Sequence, residues 1–172
     1  MARVLIVEGA SRGLRFAETL LVEGHAVRIV AADPGRRGEI EAIGAECFVG
    51  TPDRLATLRG ALEHVTIACW LFADLDGEDG LVRALHGPRL ERFVCSAIDT
   101  TLRGFLYEAG GSIVSADILA EGERIVSETA ARNLIPVAIL TADPLDIDVW
   151  LAQAGSALGV LLEGRATEQG GS

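Results

Sequence analysis

Two glycines, Gly9 and Gly13, lie in the segment RVLIVEGASRGLR (residues 3–15), between an apolar strand-like run and an amphipathic helical pattern. Gly9 would allow a tight turn off the strand, and Gly13 would let the backbone approach an anion closely. Because a helix N-terminus presents unpaired N–H groups and a positive dipole end, this turn suits a diphosphate. The alternative is a glycine turn that serves packing alone. The candidate binding residues in the turn are Gly9, Ser11, Arg12, Gly13 and Leu14.

Three side chains at or just after a later strand-like run, Tyr107, Glu108 and Ser112, are candidate catalytic residues. Ligands of open parallel sheets bind beyond the carboxyl ends of the strands, which is where these groups are predicted to lie. Each of the first two also has a plainer interpretation. Glu108 can be a solvated strand-end carboxylate, and Tyr107 a core residue with a satisfied hydroxyl group.

A second polar group, residues 99–103, precedes the same strand. We expect Asp99, Thr100, Thr101 and Arg103 either to lie near the pocket and bind a polar ligand, or to form a helix end and turn.

Composition excludes several classes of function. The formal net charge of the 172-residue chain is −10, which argues against binding to nucleic acid or to an anionic membrane. All fifteen basic residues are arginine, so no catalytic lysine is available. The three cysteines (Cys47, Cys69, Cys95) are predicted to be reduced core thiols, and neither they nor the histidines have metal-site spacing. With no charged leader and no apolar run long enough to span a bilayer, a cytoplasmic protein is expected.

Strand-like runs alternate with helical patterns along the chain, which predicts an α/β fold with a doubly wound, mostly parallel, six-stranded sheet of the Rossmann type. The expected strand order is 3-2-1-4-5-6. Residues 1–164 are predicted to form one domain and residues 165–172 a polar C-terminal tail. The predicted strands are residues 3–8, 26–31, 46–49, 66–72, 104–109 and 135–141. The predicted helices are residues 13–23, 36–43, 51–62, 88–101, 115–132 and 145–162.

The GASRG turn, the second strand GHAVRIVAADP and the overall spacing resemble the short-chain dehydrogenase/reductase superfamily, most of all its compact atypical branch of NAD(P)-binding proteins. In that family's Gly-x-x-x-Gly-x-Gly pattern, Gly9 and Gly13 match while Arg15 replaces the third glycine. The resemblance covers nearly the whole chain and implies a bound dinucleotide. Arg15 then either tilts the helix or adds a cation beside the phosphates.

The resemblance leaves the choice between NAD and NADP open, with a slight preference for NADP. The family's ribose-binding acid falls on Ala31, whereas Asp33 lies two residues later and either reaches the ribose or begins an Asp-Pro turn. Arginines at positions 12, 36 and 37 are candidate partners of a 2′-phosphate. Thr51 is expected to line the adenine pocket, and Leu71 and Phe72 to flank the cofactor.

The family's catalytic tyrosine and lysine fall near Ser115 and Leu119, so the usual dyad is absent. Three hypotheses remain: a reductase that uses direct hydride transfer to an unknown small-molecule substrate, a non-catalytic dinucleotide-binding sensor or regulatory protein responding to an unknown effector, and a scaffold with a degenerate cofactor site. The resemblance also implies a homodimer through the helices at residues 88–101 and 115–132, with Cys95, Ala97 and Ile98 as interface candidates.

Overall fold

A computed structural model describes residues 1–8 and 12–169, with side chains described as far as residue 164. Its sheet has six parallel strands in the order β3-β2-β1-β4-β5-β6, which confirms the predicted fold class and strand order. The strands are β1 (Arg3–Glu8), β2 (Ala26–Ala31), β3 (Glu46–Val49), β4 (Ile67–Leu71), β5 (Gly104–Glu108) and β6 (Val137–Leu140).

Helices cover both faces of the sheet, as right-handed crossovers between parallel strands require. They are α1 (Arg12–Val22), α2 (Arg37–Ala42), α3 (Asp79–Leu85), α4 (Pro88–Ser96), α5 (Ala116–Arg132) and α6 (Ile147–Gln169). Helix α3 was not predicted, and α6 extends into the segment assigned to the polar tail.

Alternate residues of each strand enter two separate cores, because successive side chains of a strand point to opposite faces. Val4, Ile6 and Leu106 pack with α1, α2 and α6 on one face. Trp70 and Phe105 pack with α4 and α5 on the other face. All residues of β4 and β5 are buried, as expected for central strands of a sheet covered on both sides.

The α-helix predicted for residues 51–62 is wrong. Two short 3₁₀ turns, Leu55–Leu58 and Gly60–Leu62, take its place. The Thr57 hydroxyl accepts a hydrogen bond from the Thr51 N–H (3.0 Å) and donates to the Arg54 carbonyl (2.6 Å), so a side chain competes with the helical pattern.

Helix α4 ends at Ser96, five residues before the predicted end at residue 101. The Ser96 hydroxyl donates to the Phe93 carbonyl (2.7 Å) and the Thr100 hydroxyl to the Ala97 carbonyl (2.6 Å) as the chain turns toward β5. The prediction that residues 99–103 can lie near the pocket is wrong, because they precede β5 and so lie at the amino end of the sheet. Residues 99–103 form the predicted helix end and turn, and Asp99, Thr100 and Thr101 also line a separate cavity of about 260 Å³ at this end of the sheet.

Cys47 and Cys69 are buried free thiols, as predicted, whereas Cys95 is exposed and is not a core residue. Ala97, an interface candidate, is fully buried within its own chain. Ile98 is 38% exposed and therefore remains an interface candidate. Among the residues described, no helix is both long enough and apolar enough to cross a lipid bilayer.

Candidate functional site

A cavity of about 340 Å³ opens at the carboxyl ends of β1, β2 and β4, where sheets of this type bind ligands. Apolar side chains form most of its wall, and a few polar groups converge on it, which is the usual composition of a small-molecule site. The polar lining residues are Glu8, Asp33, Arg36, Thr51 and Asp53. The apolar lining includes Val30, Ala31, Phe72, Leu75, Leu81 and Leu85.

Asp33 and Arg36 stand together just beyond β2. The Asp33 carboxylate accepts a hydrogen bond from the Gly35 N–H (2.8 Å), so the predicted Asp-Pro turn is present and Asp33 also faces the cavity. Arg36 Nε donates to Glu39 (2.6 Å), and Arg36 Nη2 lies 3.6 Å from the Glu8 carboxylate. The cavity therefore offers an acceptor for hydroxyl groups next to a cation.

Glu8, the last residue of β1, faces the first turn of α1. Its side chain is 1% exposed, and one carboxylate oxygen accepts a hydrogen bond from the Gly13 N–H (2.7 Å). Burial raises the pKa of Glu8 to about 7, against the opposing effects of the Gly13 hydrogen bond and the charges of Arg36 and Arg12. This carboxylate was not among the predicted site residues, although its position at the end of a strand before the glycine turn was visible in the sequence.

Glu108, at the end of β5, is completely buried and forms an ion pair with Arg12. Arg12 Nη2 lies 2.6 Å from one carboxylate oxygen and 2.7 Å from the other. The Ala73 N–H (2.8 Å) and the Trp150 indole N–H (2.6 Å) also donate to this carboxylate. The interpretation of Glu108 as a solvated carboxylate is therefore wrong.

Arg12 is held by further contacts around this ion pair. Its Nη1 pairs with the Asp74 carboxylate, and its guanidinium carbon lies 5.1 Å from the centre of the Trp150 ring. Burial raises the pKa of Glu108, and the charge of Arg12 together with the hydrogen bonds from Ala73 and Trp150 opposes that rise. The side chains of Arg12 and Glu108 thus neutralise each other in the interior.

Tyr107 points to the opposite face of the sheet from Glu108. Its hydroxyl group lies 2.6 Å from His86 Nδ1 and donates a long hydrogen bond to the Leu119 carbonyl (3.5 Å). Burial raises the pKa of the Tyr107 hydroxyl and lowers the pKa of His86. Tyr107 is therefore a core residue with a satisfied hydroxyl group, on the face of the sheet opposite to the Glu108 side chain.

The other predicted site residues are scattered. Thr51 and Phe72 line the cavity. Leu71 is buried in the core under α1, α2 and α6, and Leu14 packs at the margin of that core. Ser112 is exposed in the segment after β5, and Arg15 and Arg37 are exposed on α1 and α2. Gly9 and Ser11 lie outside the described residues.

Asp74 and Trp150, which surround Arg12, had no sequence signal because long-range packing alone brings them there.

The strand order and the cavity define a Rossmann-type fold with a ligand crevice at its switch point. Solved structures that share it include alfalfa vestitone reductase (TM-score 0.66, 16% identity) and a short-chain dehydrogenase/reductase superfamily protein from Agrobacterium tumefaciens with bound NAD (TM-score 0.63, 16% identity). They also include UDP-glucuronic acid 4-epimerase from Bacillus cereus (TM-score 0.63, 13% identity). The chain therefore has the fold of the short-chain dehydrogenase/reductase superfamily, and the predicted resemblance is confirmed at the level of the fold.

These matches cover 82%, 80% and 80% of the chain and 56%, 48% and 55% of the three solved structures, so the chain spans about half their length. No protein-family model and no curated protein sequence matches the chain.

The two ends of a dinucleotide fit this crevice unequally. The cavity supplies apolar surface for a base, the Asp33 carboxylate for ribose hydroxyls and Arg36 for a phosphate. At the N-terminus of α1, where a diphosphate would bind, the Gly13 N–H is already bonded to Glu8. The adenosine end fits the residues present, and the diphosphate end meets a competing carboxylate.

Proposed function

We propose that this protein binds NAD or NADP, with the adenosine half of the dinucleotide in the cavity beyond β1, β2 and β4. The observation that carries the proposal is the cavity itself, which lies at the switch point of the sheet and presents Asp33 and Arg36 beside an apolar wall. Thr51 and Phe72, which both line this cavity, would contact the base.

We further propose that the dinucleotide is bound without turnover, as in a redox sensor or regulatory protein. Tyr107 is bonded to His86 in the core, and both oxygens of Glu108 accept hydrogen bonds from Arg12. Neither group is available as a general acid or base, since such a group must reach the proton it transfers, so turnover would need direct hydride transfer without help from these two side chains. A bound dinucleotide would supply hydride-transfer capacity, and the residues described here would hold its adenosine end.

The slight preference for NADP is assigned to Arg36. A guanidinium on the cavity wall beyond β2 suits a 2′-phosphate, because its paired N–H groups match phosphate oxygens. The Arg36→Ala variant should therefore bind NADP about tenfold more weakly while its affinity for NAD changes little. Equal losses for the two cofactors would remove this assignment.

Binding is tested by isothermal titration calorimetry with NAD, NADH, NADP and NADPH, and with adenosine as the minimal fragment. Ala32, an exposed residue on the cavity rim, is replaced by tryptophan to fill the cavity. We expect binding by the native protein and its loss in Ala32→Trp. The same substitution at the exposed Ala56, outside the cavity lining, is the matched control and should leave binding unchanged.

Absence of binding for all five ligands would contradict the proposal and leave the scaffold hypothesis. If binding is found, oxidation of NADH and NADPH is followed with flavin and quinone acceptors. Turnover with any acceptor would overturn binding without turnover and establish the reductase hypothesis.

A further inference from the structure

The carboxylate of Glu8 occupies the place at the start of α1 that an anionic ligand would need. It bonds the Gly13 N–H at 2.7 Å, and it packs so closely that a Cβ atom at Gly13 would lie 2.5 Å from the carboxyl carbon of Glu8. The close approach that a glycine allows at this position is therefore used by the chain's own carboxylate.

The second carboxylate oxygen, Oε1, is buried, accepts no hydrogen bond and belongs to a residue that lines the cavity. Two cations face Glu8: Arg36 from the 3₁₀ turn after β2, at 3.6 Å, and Arg12 from α1. Arg12 is itself paired with Glu108 and Asp74. Asp33 and Asp53 also line this cavity, and their carboxylates add negative charge.

We propose that Glu8 competes with the diphosphate of a dinucleotide for the N-terminus of α1, so that binding the diphosphate takes up a proton at Glu8. The inference deepens the proposed function and rests on it. Two anions cannot share one helix N-terminus in a buried site without strong repulsion, and protonation of Glu8 removes one of the charges. Dinucleotide affinity therefore falls as the pH rises and Glu8, a residue outside the glycine pattern, loses its proton.

The electrostatics of the site give this coupling a pH range. Burial raises the pKa of Glu8 to about 7, so a modest change around neutrality alters the charge at the start of α1. Binding of a diphosphate would raise it further, since a second anion favours the protonated acid. Adenosine brings no negative charge to Glu8, so protonation of Glu8 relieves no repulsion and adenosine affinity should change little with pH.

The test measures binding of ADP-ribose and of adenosine by calorimetry from about pH 5.5 to 8.5, a range in which neither ligand changes charge. For the native protein, ADP-ribose affinity should fall about tenfold per pH unit above pH 7, with uptake of about one proton per ligand measured in buffers of different ionisation enthalpy. Adenosine affinity should stay constant.

The Glu8→Gln variant keeps the shape of the side chain and loses its charge, so it should bind ADP-ribose with constant affinity and about tenfold more tightly than the native protein at pH 8. The matched control is Glu18→Gln on the exposed side of the same helix, which should retain the native pH dependence.

The two proposals fail differently. ADP-ribose affinity that is independent of pH in the native protein, or unchanged by Glu8→Gln at pH 8, would overturn the role of Glu8 while nucleotide binding stands. If neither the native protein nor Glu8→Gln binds either ligand at any pH, the proposed function itself is contradicted and the inference falls with it.

Discussion

Arg12 stands on the first turn of α1, where the glycine pattern predicts a partner for phosphate. The structure places it in the interior, between the carboxylates of Glu108 and Asp74 and against the Trp150 ring. The Arg12 side chain is 9% exposed and pairs with a fully buried carboxylate. Its main effect is therefore on the stability of the folded protein rather than on ligand binding.

Removal of Arg12 is therefore predicted to destabilise the protein strongly. Arg12→Ala leaves Glu108 as an uncompensated buried charge and should lower the free energy of unfolding by about 3–5 kcal/mol. Adding Glu108→Gln should recover part of this loss, because the unpaired charge is then gone. Chemical denaturation measures both, with the exposed Arg15→Ala as the control; a loss for Arg12→Ala as small as that of the control would show that the ion pair contributes nothing.

Glu8 makes the folded state sensitive to pH even without a ligand. Its pKa is about 7 in the folded protein and 4.5 in an unfolded chain, so the folded state binds the proton more tightly. The stability from this group is fully present below pH 4.5 and is lost as the pH rises to 7.

Denaturation across this range should therefore show Glu8→Gln gaining on the native protein by about 3 kcal/mol between the two pH limits. The Glu18→Gln control should show no such divergence. Parallel stability curves for Glu8→Gln and the native protein would mean that Glu8 titrates as it does in an unfolded chain.

At the scale of elements, helix packing depends on small residues at particular contacts. Gly122 of α5 lies directly over the Tyr107 hydroxyl group, and a Cβ atom there would come 2.6 Å from the Tyr107 Cζ atom and 3.1 Å from the His86 carbonyl. Gly155 of α6 has no atom within 4 Å of the same position. The two glycines are thus helical positions that differ in whether an added Cβ atom would meet another side chain.

Gly122→Ala is predicted to lower the free energy of unfolding by about 1–3 kcal/mol, because overpacking outweighs the better helix propensity of alanine. Gly155→Ala should raise it by about 0.5–1 kcal/mol, since only propensity changes. Thermal denaturation with calorimetry distinguishes these signs. A stabilised Gly122→Ala variant would contradict this prediction, because it would mean that α5 can shift away from Tyr107 at little cost in free energy.

The elements that the sequence predicts well are those fixed by a strong local pattern. Strand β1 is recovered to the residue, since uninterrupted apolar runs between turn signals specify buried strands. The α-helix predicted for residues 51–62 does not form. A Thr-Pro pair is only a local helix-start signal, and the hydrogen bonds of the Thr57 hydroxyl group favour a different backbone path. Helix α4 was placed correctly by its apolar spacing, but its end depended on backbone bonds that spacing does not report.

For the whole molecule, strand order followed from the handedness of crossovers and from the alternation of elements, both readable without coordinates. The cavity residues Asp33, Thr51 and Phe72 were also predicted, because the resemblance to a known family implies cofactor contacts at these positions. The charges inside the crevice were not. Pairing of Glu108 with Arg12, 96 residues away, depends on long-range packing that no spacing along the chain encodes.

The homodimer through α4 and α5 stays a prediction. Ile98 and Cys95 are exposed near the end of α4, whereas Ala97 is committed to the core of its own chain. Sedimentation equilibrium should detect a dimer that Ile98→Asp weakens; a monomer at all concentrations would contradict it.

The most direct test of nucleotide binding in the cavity is a crystal structure of the protein with ADP-ribose at about pH 6, where Glu8 is mostly protonated. Nucleotide binding in this cavity predicts adenine in contact with Thr51 and Phe72, ribose hydroxyls within hydrogen-bond distance of Asp33, and the diphosphate at the Gly13 N–H with Glu8 displaced. A complex with the adenosine elsewhere, or crystals grown with saturating ligand in which the cavity holds only water, would contradict it.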